Sequence, residues 1–520
     1  MLLAVTSCFR MQIIKMNLSK TQTAILLFSI LIVALCGITY ELIIGAVSSY
    51  LLGNSVNQFS LTIGFFMFAM GIGAYLSKLL NQQLLQNFII IEIIIALIGG
   101  SSSLILFMAF PYTHVLYSLV MYSLILVIGI LVGMEIPILT TLLSQKSSTR
   151  DALANVLSID YLGALIGSVA FPLLLLPQLG LIRSSFVIGL INILTAIVNV
   201  YFFRMHLLRA KLMMLISLFI LLLLTAFIFV GSYLTSFAEQ HLYFDQIIYS
   251  KQTPYQRIIV TQALDTNDQR LYIDGHIQFS TRDEYRYHES LVHPVMIQNP
   301  HRKNILILGG GDGLAAREVL KYNEVERIHL VDIDPEMTRI SNQLPLLKEL
   351  NKSSLQNPKL TVFHQDAFTF INQAGILYDR VIIDMPDPHN EAINKLYSRE
   401  FYKMIKRRMS HDGFIISQSS SPFFTRRTFW SIEQTLNHVF DQTLSFQLTV
   451  PSFGLWGFNM ASIQGDFIDD YNFTVNTRYL NDEIMEASKI FSEDTKKIPS
   501  PVNSIMEPKL YQLYLKDLQS

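Results

Sequence analysis

The sequence predicts a two-part chain: an α-helical membrane domain of about seven transmembrane helices, then an α/β domain on a doubly wound parallel sheet. Three observations predict it. The first is charge: the first 235 of 520 residues hold ten Lys/Arg and five Asp/Glu, whereas the rest hold 29 and 35. The second is a set of apolar runs of membrane length, confined to the first part. The third is a series of short apolar strands in the second part, each ending at carboxylates or small polar residues and alternating with helical stretches. Such a split excludes a single soluble globule, a disordered chain and a basic nucleic-acid binder.

The apolar runs lie near 23–44, 58–79, 88–109, 116–142, 157–178, 184–203 and 212–233. Each approaches or exceeds the roughly 20 residues a helix needs to cross a bilayer with its backbone paired. Residues 1–235 are therefore read as a multi-pass domain, with the lipid bilayer as its partner. Arg10, Lys15 and Lys20 precede a run too long for a signal peptide, so no cleavable leader is read. Basic residues also follow the second run (Lys78), the fourth (Lys146, Arg150) and the sixth (Arg204, Arg209, Lys211). The positive-inside rule then puts the amino terminus in the cytoplasm, and seven spans would export the second part. A miscounted span, a hairpin over 23–52, or a domain that faces out would each reconcile the count.

Four carboxylates fall inside these runs: Glu41, Glu92 and Glu135, with Asp160 near the start of the fifth. An ionisable group at the bilayer centre costs at least about 2.5 kcal/mol, so it turns to a cavity or a partner. One reading is a path for a cation; the other is a structural residue bonded internally. Glu135 favours the first reading most, because Pro137 frees a backbone carbonyl beside it. The two cysteines, Cys8 and Cys36, both fall in the first part. The second part thus holds no disulfide framework, zinc knuckle or thiol nucleophile.

The second part divides into a small β-unit over 240–298, a main domain over 299–465 and a partly helical tail over 466–520. In the β-unit, Gln256–Val260 and Leu271–Ile273 flank a polar turn and form a hairpin. The main domain opens with Ile305–Leu308, which runs into Gly309-Gly310-Gly311-Asp312-Gly313 and a helix. Further strands end at Asp332 (after Ile328–Val331), near Asp366 (after Leu360–Phe363), at Asp384-Met385-Pro386-Asp387-Pro388 (after Val381–Ile383) and at Gln418 (after Phe414–Ile416). In a doubly wound, Rossmann-like sheet, ligands bind outside the carboxyl ends of the strands, where these acids gather. Glycines in the turn let a ligand approach the backbone, and Asp332 suits a ribose diol. Asp312, inside the turn, would repel a pyrophosphate but suits a cation, which favours an S-adenosyl ligand over a dinucleotide.

In this order the residues resemble the spermidine synthase (polyamine aminopropyltransferase) family, from about Tyr255 to Pro422. The resemblance rests on Tyr255-Gln256, Leu271–Gln278, Asp283-Glu284, Tyr287-His288-Glu289, His293-Pro294, the Gly309–Gly313 turn with Arg317-Glu318, Val331–Asp334, Asp366, Asp384–Pro388 and Gln418–Pro422. More loosely, the first part is similar to the multi-span bacterial versions. The resemblance implies a methyltransferase-type fold and transfer of an aminopropyl group from decarboxylated S-adenosylmethionine to putrescine, giving spermidine and methylthioadenosine. It implies no cofactor beyond that co-substrate. It implies donor contacts at Gln256, His288, Gly309, Gly311, Asp312, Gly313, Asp332 and Asp366, acceptor contacts at Tyr287, Asp387 and Gln418, and Asp384 as the base.

Three departures bear on the acceptor and the ribose. Met385 and Pro386 replace small hydroxyl residues between the paired aspartates, Asp332 replaces the usual glutamate, and His389-Asn390-Glu391-Ala392 replaces a Gly-Pro-Ala segment. Metal ligation by His288, Glu289 and His293 is not expected, since the spacing is poor for facing ligands. Two other readings stand beside aminopropyl transfer. One is a methyltransferase, disfavoured by Asp384, Asp387 and Gln256; the other is a polyamine transporter or sensor, kept open by the membrane acids. The expected partners are polyamines and the bilayer, with no nucleic acid and a homo-oligomer left open. The expected location is the cell membrane, the inner membrane of a bacterium, with the catalytic part cytoplasmic because its substrates are made there.

Overall fold

The computed structural model describes residues 19–518 except 53–54, 81, 111–113, 146–147 and 469; Cys8, Arg10, Lys15 and Lys146 lie outside the described residues. The chain forms two compact units that divide between Phe244 and Asp245.

The first unit is all helix: α1 (Lys20–Leu52), α2 (Ser55–Leu76), α3 (Leu84–Ala109), α4 (His114–Leu143), α5 (Thr149–Ala170), α6 (Leu176–Phe203) and α7 (Ala210–Gln240). Among the described residues, six helical runs are long and apolar enough to cross a membrane, and one of them spans 58 residues, Thr149–His206. Kept straight, that run would extend about 87 Å, some three times the thickness of a bilayer core. It breaks at Gly180, whose φ of 73° and ψ of −179° are outside the helical region and open to glycine alone.

Side-chain contacts show what the break does. Gly163 meets Leu31 and Gly167 meets Leu35, so α5 runs parallel to α1. Cys36 Sγ reaches the carbonyl of Ile188 (3.7 Å) and Asn199 Nδ2 donates to Ser29 Oγ (2.8 Å), so α6 runs antiparallel to α1. The chain therefore reverses at Gly180. The opening stretch, by contrast, is one continuous helix of 33 residues and not a hairpin. It holds no proline, and its only glycines sit where a neighbour packs close: a Cβ on Gly37 would fall 3.3 Å from Val132 and one on Gly45 2.9 Å from Phe59.

The second unit opens with an antiparallel four-stranded sheet in the order β1 (Gln246–Gln252), β2 (Arg257–Gln262), β3 (Gln269–Ile273), β4 (His276–Ser280). The expected hairpin is the middle of this meander. Helix α8 (Glu284–Met296) leads into a seven-stranded sheet made of β5 (Asn304–Gly309), β6 (Arg327–Asp332), β7 (Leu360–His364), β8 (Tyr378–Asp384), β9 (Met409–Gln418), β10 (Gln442–Val450) and β11 (Gly454–Ser462). Their order is β10-β11-β9-β8-β5-β6-β7. Strands β5 to β9 pair in parallel, and β11 lies antiparallel to both β9 and β10. The sheet is thus mixed rather than wholly parallel. The tight turn at Pro451–Phe453 forces the reversal, because strands joined so closely can only pair antiparallel.

The apolar strands are buried on both faces, as continuous hydrophobic runs require. Ile305 and Ile307 enter one core with α8, while Leu306 and Leu308 enter the other, beneath Phe370 and Phe401. Residues beyond 465 pack into the same two cores through Tyr471, Leu480, Met485 and Leu510.

Candidate active site

The site is built around the register of β5 against β8. Gly309 pairs with Asp384, so the glycine turn and the fourth strand end side by side. Gly309 and Gly310 have φ of 86° and 66°, which L side chains rarely adopt. A Cβ on Gly309 would fall 1.9 Å from the Asp384 carbonyl oxygen, and one on Gly311 would fall 2.4 Å from Asp332 Oδ2. The missing side chains are what let two aspartates close on the turn. Gly311 N donates to Asp332 Oδ2 (2.9 Å) and Asp334 N to Asp332 Oδ1 (2.8 Å). Gly313 does a different job: it opens helix α9 (Leu314–Val319), and its bare Cα accommodates Ser354 and Leu355.

A cavity of about 470 Å³ lies over these strand ends, a size suited to a nucleoside-bearing ligand. Gln256, Tyr287, His288, Gly309, Gly311, Asp312, Asp332, Asp366, Asp384, Asp387 and Gln418 all line it. Of the residues expected at the site, only Gly313 stands outside the lining.

Charge in the cavity is arranged around a buried cation. His288 Nδ1 bonds to Glu284 Oε2 (2.8 Å), and Arg317 holds Glu284 with two bonds of 2.9 Å. Burial alone would lower the His288 pKa. Glu284, Asp312 and Asp384 outweigh burial and push it up to about 9, so the imidazole is protonated at neutral pH. His288, Asp312 and Asp384 each bring one donor atom within 4.8 Å of the others.

The aspartates respond to burial. Asp384 is pushed up to about 6 by burial and by Asp312, against His288 and the Tyr287 hydroxyl, which donates to it at 2.7 Å. Asp332 also rises to about 6, chiefly by burial. Asp387 does the same, although it accepts from Ser420 Oγ (3.1 Å), Tyr514 Oη (3.4 Å) and Gln418 Nε2 (3.4 Å). Asp312 is raised by burial too, while its Oδ1 accepts from Leu314 N (2.8 Å). Asp366 differs. Burial would raise it, but Lys395 (2.8 Å) and the Thr369 amide outweigh that and hold it below the usual range.

Gln418 lies at the end of β9 with its amide engaged by protein: Nε2 donates to the Tyr397 hydroxyl (2.7 Å) and Oε1 accepts from Ser420 N (3.0 Å). His293 and Glu289 do not join His288. His293 pairs with Glu318 (2.9 Å) and Tyr322 (3.0 Å), and Glu289 accepts from the amides of Arg478, Tyr479 and Leu480.

Several site residues carry no signal in the sequence. Phe453 and Trp456 enter the cavity wall from the β10–β11 hairpin. His389, in the segment that departs from the family pattern, stacks on His276 (5.0 Å between rings). Burial pushes the His389 pKa down to about 4 and that of His276 below its ordinary value, so both rings are neutral at neutral pH. Tyr514 comes from the tail, where no motif marks it.

In the first unit, Glu92 and Glu135 are neighbours across α3 and α4, with Asn192 of α6 beside Glu92. Glu41 is buried on α1.

A mixed Rossmann-like sheet with aspartates at its strand ends, closing on a glycine turn, places the second unit in the class of doubly wound α/β domains that bind a ligand at those ends. Residues 284–472 match the spermine/spermidine synthase domain family. The chain is 41% identical to a polyamine aminopropyltransferase of Leptospira interrogans, over 95% of this chain and 98% of that one. It is likewise 41% identical to a polyamine aminopropyltransferase of Oceanobacillus iheyensis, over 95% and 98%. A solved spermidine synthase in complex with the transition-state analogue AdoDATO is 27% identical, covering 47% of this chain and 85% of its own, with a TM-score of 0.44. The chain belongs to the polyamine aminopropyltransferase family and is a transferase.

Proposed function

We propose that the second unit transfers the aminopropyl group of decarboxylated S-adenosylmethionine to putrescine, forming spermidine and methylthioadenosine. The observation that carries this reading is the convergence of Asp312, Asp332, Asp384 and Asp387 with protonated His288 on one cavity. Donor and acceptor are both cations, and a carboxylate-lined cavity offsets the repulsion of bringing them together. Asp332 takes the ribose hydroxyls and Asp312 the donor's ammonium. Asp366, tied to Lys395 at the rim, takes the adenine amine. Tyr287 and Asp387 face the acceptor, and Gln418 positions Asp387.

The acceptor nitrogen attacks the carbon bound to sulfur, the C–S bond breaks, and its electron pair neutralises the sulfonium as a thioether. That leaving group is neutral, so the step calls for no metal or redox cofactor. The acceptor's proton passes to Asp384. An alkyl ammonium near 10.4 and an ordinary aspartate near 3.9 differ by about 6.5 units, roughly 9 kcal/mol. With Asp384 at about 6 the gap falls to about 4 units, roughly 6 kcal/mol. Desolvation of the amine and its placement in line with the C–S bond supply the rest.

The test is formation of methylthioadenosine by the purified protein, expected only when a diamine is present. Asp384→Asn should abolish turnover with little loss of donor binding, and near-normal turnover in that variant would remove Asp384 as the base. A panel of diamines and triamines identifies the acceptor; preference for another amine would overturn putrescine.

We further infer that Lys20–Gln240 spans the cell membrane, that of a bacterium, with the second unit in the cytoplasm. Six apolar helices support the insertion, and the reversal at Gly180 makes the 58-residue run two crossings, seven in all. Cytosolic supply of the donor favours the cytoplasmic side, although the basic loops favour the other. Glu92 and Glu135 are proposed as a path for an amine cation, with Glu41 as a further polar step. Glu92 and Glu135 are both buried and face each other across α3 and α4, a pair of carboxyls that a cation would bridge.

A further inference from the structure

The domain family match ends at residue 472, yet the polypeptide beyond it reaches back to the acceptor end of the cavity. Helix Leu510–Leu518 presents Tyr514, which is 6% exposed, with its hydroxyl 3.4 Å from Asp387 Oδ2. The ring does not line the cavity. Its hydroxyl reaches the same carboxylate oxygen as Ser420 Oγ (3.1 Å).

The segment is held there by specific bonds. Asn503, fully buried, donates through its side chain to the carbonyls of Asn394 and Tyr397 (3.1 Å each). Its own carbonyl accepts from Arg399 N (2.9 Å). At the far end of the helix, Asp517 accepts from the amide and hydroxyl of Thr428 (3.0 Å each). The bonds of Asn503 fasten the segment to 394–399, downstream of Asp387, and those of Asp517 fasten it to the helix that carries Thr428.

From this geometry we propose that Tyr514 is a positioning residue for the acceptor, fixing the orientation and charge of Asp387 from outside the family domain. The proposal rests on the reading of Asp387 as the acceptor carboxylate. A hydroxyl that donates to a carboxylate stabilises its ionised form, so Tyr514 opposes the burial that neutralises Asp387. An ionised Asp387 pairs with the acceptor's distal ammonium; a protonated one does not.

The experiment compares wild-type protein with Tyr514→Phe, which removes one oxygen and keeps the ring. The expected result is a diamine KM raised about three- to tenfold, as for loss of one long hydrogen bond to a charged group, with donor KM and kcat within about twofold. The acidic limb of kcat/KM for the diamine should move to higher pH. Diamine affinity measured by calorimetry in the presence of methylthioadenosine should fall by the same factor, and this readout does not depend on turnover. An unchanged diamine KM and affinity, or equal loss for donor and acceptor, would overturn the proposal. Absence of methylthioadenosine formation by wild-type protein would instead overturn the functional reading, and the calorimetric comparison would still decide on Tyr514.

Discussion

At the level of single residues, the site trades stability for charge. Burial lifts Asp387 to about 6 from an ordinary value near 3.9. A carboxyl whose folded-state pKa is raised contributes most to stability below pH about 4, and that contribution is lost as pH rises through about 6. Asp387→Asn removes the penalty at neutral pH. Its midpoint of thermal unfolding should therefore rise by a few degrees, about 1–2 kcal/mol, while diamine use collapses. A lower midpoint in calorimetry would show that the bonds from Ser420 and Tyr514 outweigh the cost of burial. The aspartates themselves were legible in the sequence, because each closes a short apolar strand. Their protonation was not, since it depends first on burial, which exists only once the strand ends and the glycine turn have come together.

At the level of elements, the joint between β5 and β8 decides whether a site exists. The five central strands were readable as apolar runs that stop at acids or small polar residues. Strands β10 and β11 were not: β10 alternates through Leu444, Phe446, Leu448 and Val450 but ends at no acid, and the pattern of β11 is broken by Gly454, Gly457 and Asn459, which pairs with Ser417 of β9. The glycine turn gives the sharpest test. Gly309→Ala would press a methyl group into the Asp384 carbonyl at a positive φ, and the adjoining strands cannot part without losing their ladder. The variant should lose at least about 2 kcal/mol of stability in denaturant unfolding, together with donor binding. A variant with unaltered unfolding would mean that the strand ends have more freedom than the register allows.

At the level of the whole molecule, composition alone separated the two units, and hydropathy set 157–178 apart from 184–203, on either side of Gly180, without showing that the chain reverses there. A window of apolar residues reports length but not direction, and the reversal at Gly180 rests on one backbone conformation. Seven crossings would leave Lys20 and Gln240 on opposite sides. The cytoplasmic placement proposed from the supply of the donor predicts that external protease spares the second unit in spheroplasts, and its digestion there would place the catalytic unit outside, as the basic loops favour. Reconstituted vesicles test the buried acids: Glu135→Gln should cut putrescine flux at least about tenfold if the carboxylate carries the cation. Equal flux would leave Glu92 and Glu135 as structural residues.

The bracing of Asp387 by Tyr514 also bears on where the border of the domain lies. A chain cut at residue 472, where the family match stops, would keep the glycine turn and every aspartate of the cavity, yet lose the hydroxyl beside Asp387 and the core side chains Leu480, Met485 and Leu510. Likeness of sequence thus draws a line through a body that packing does not divide.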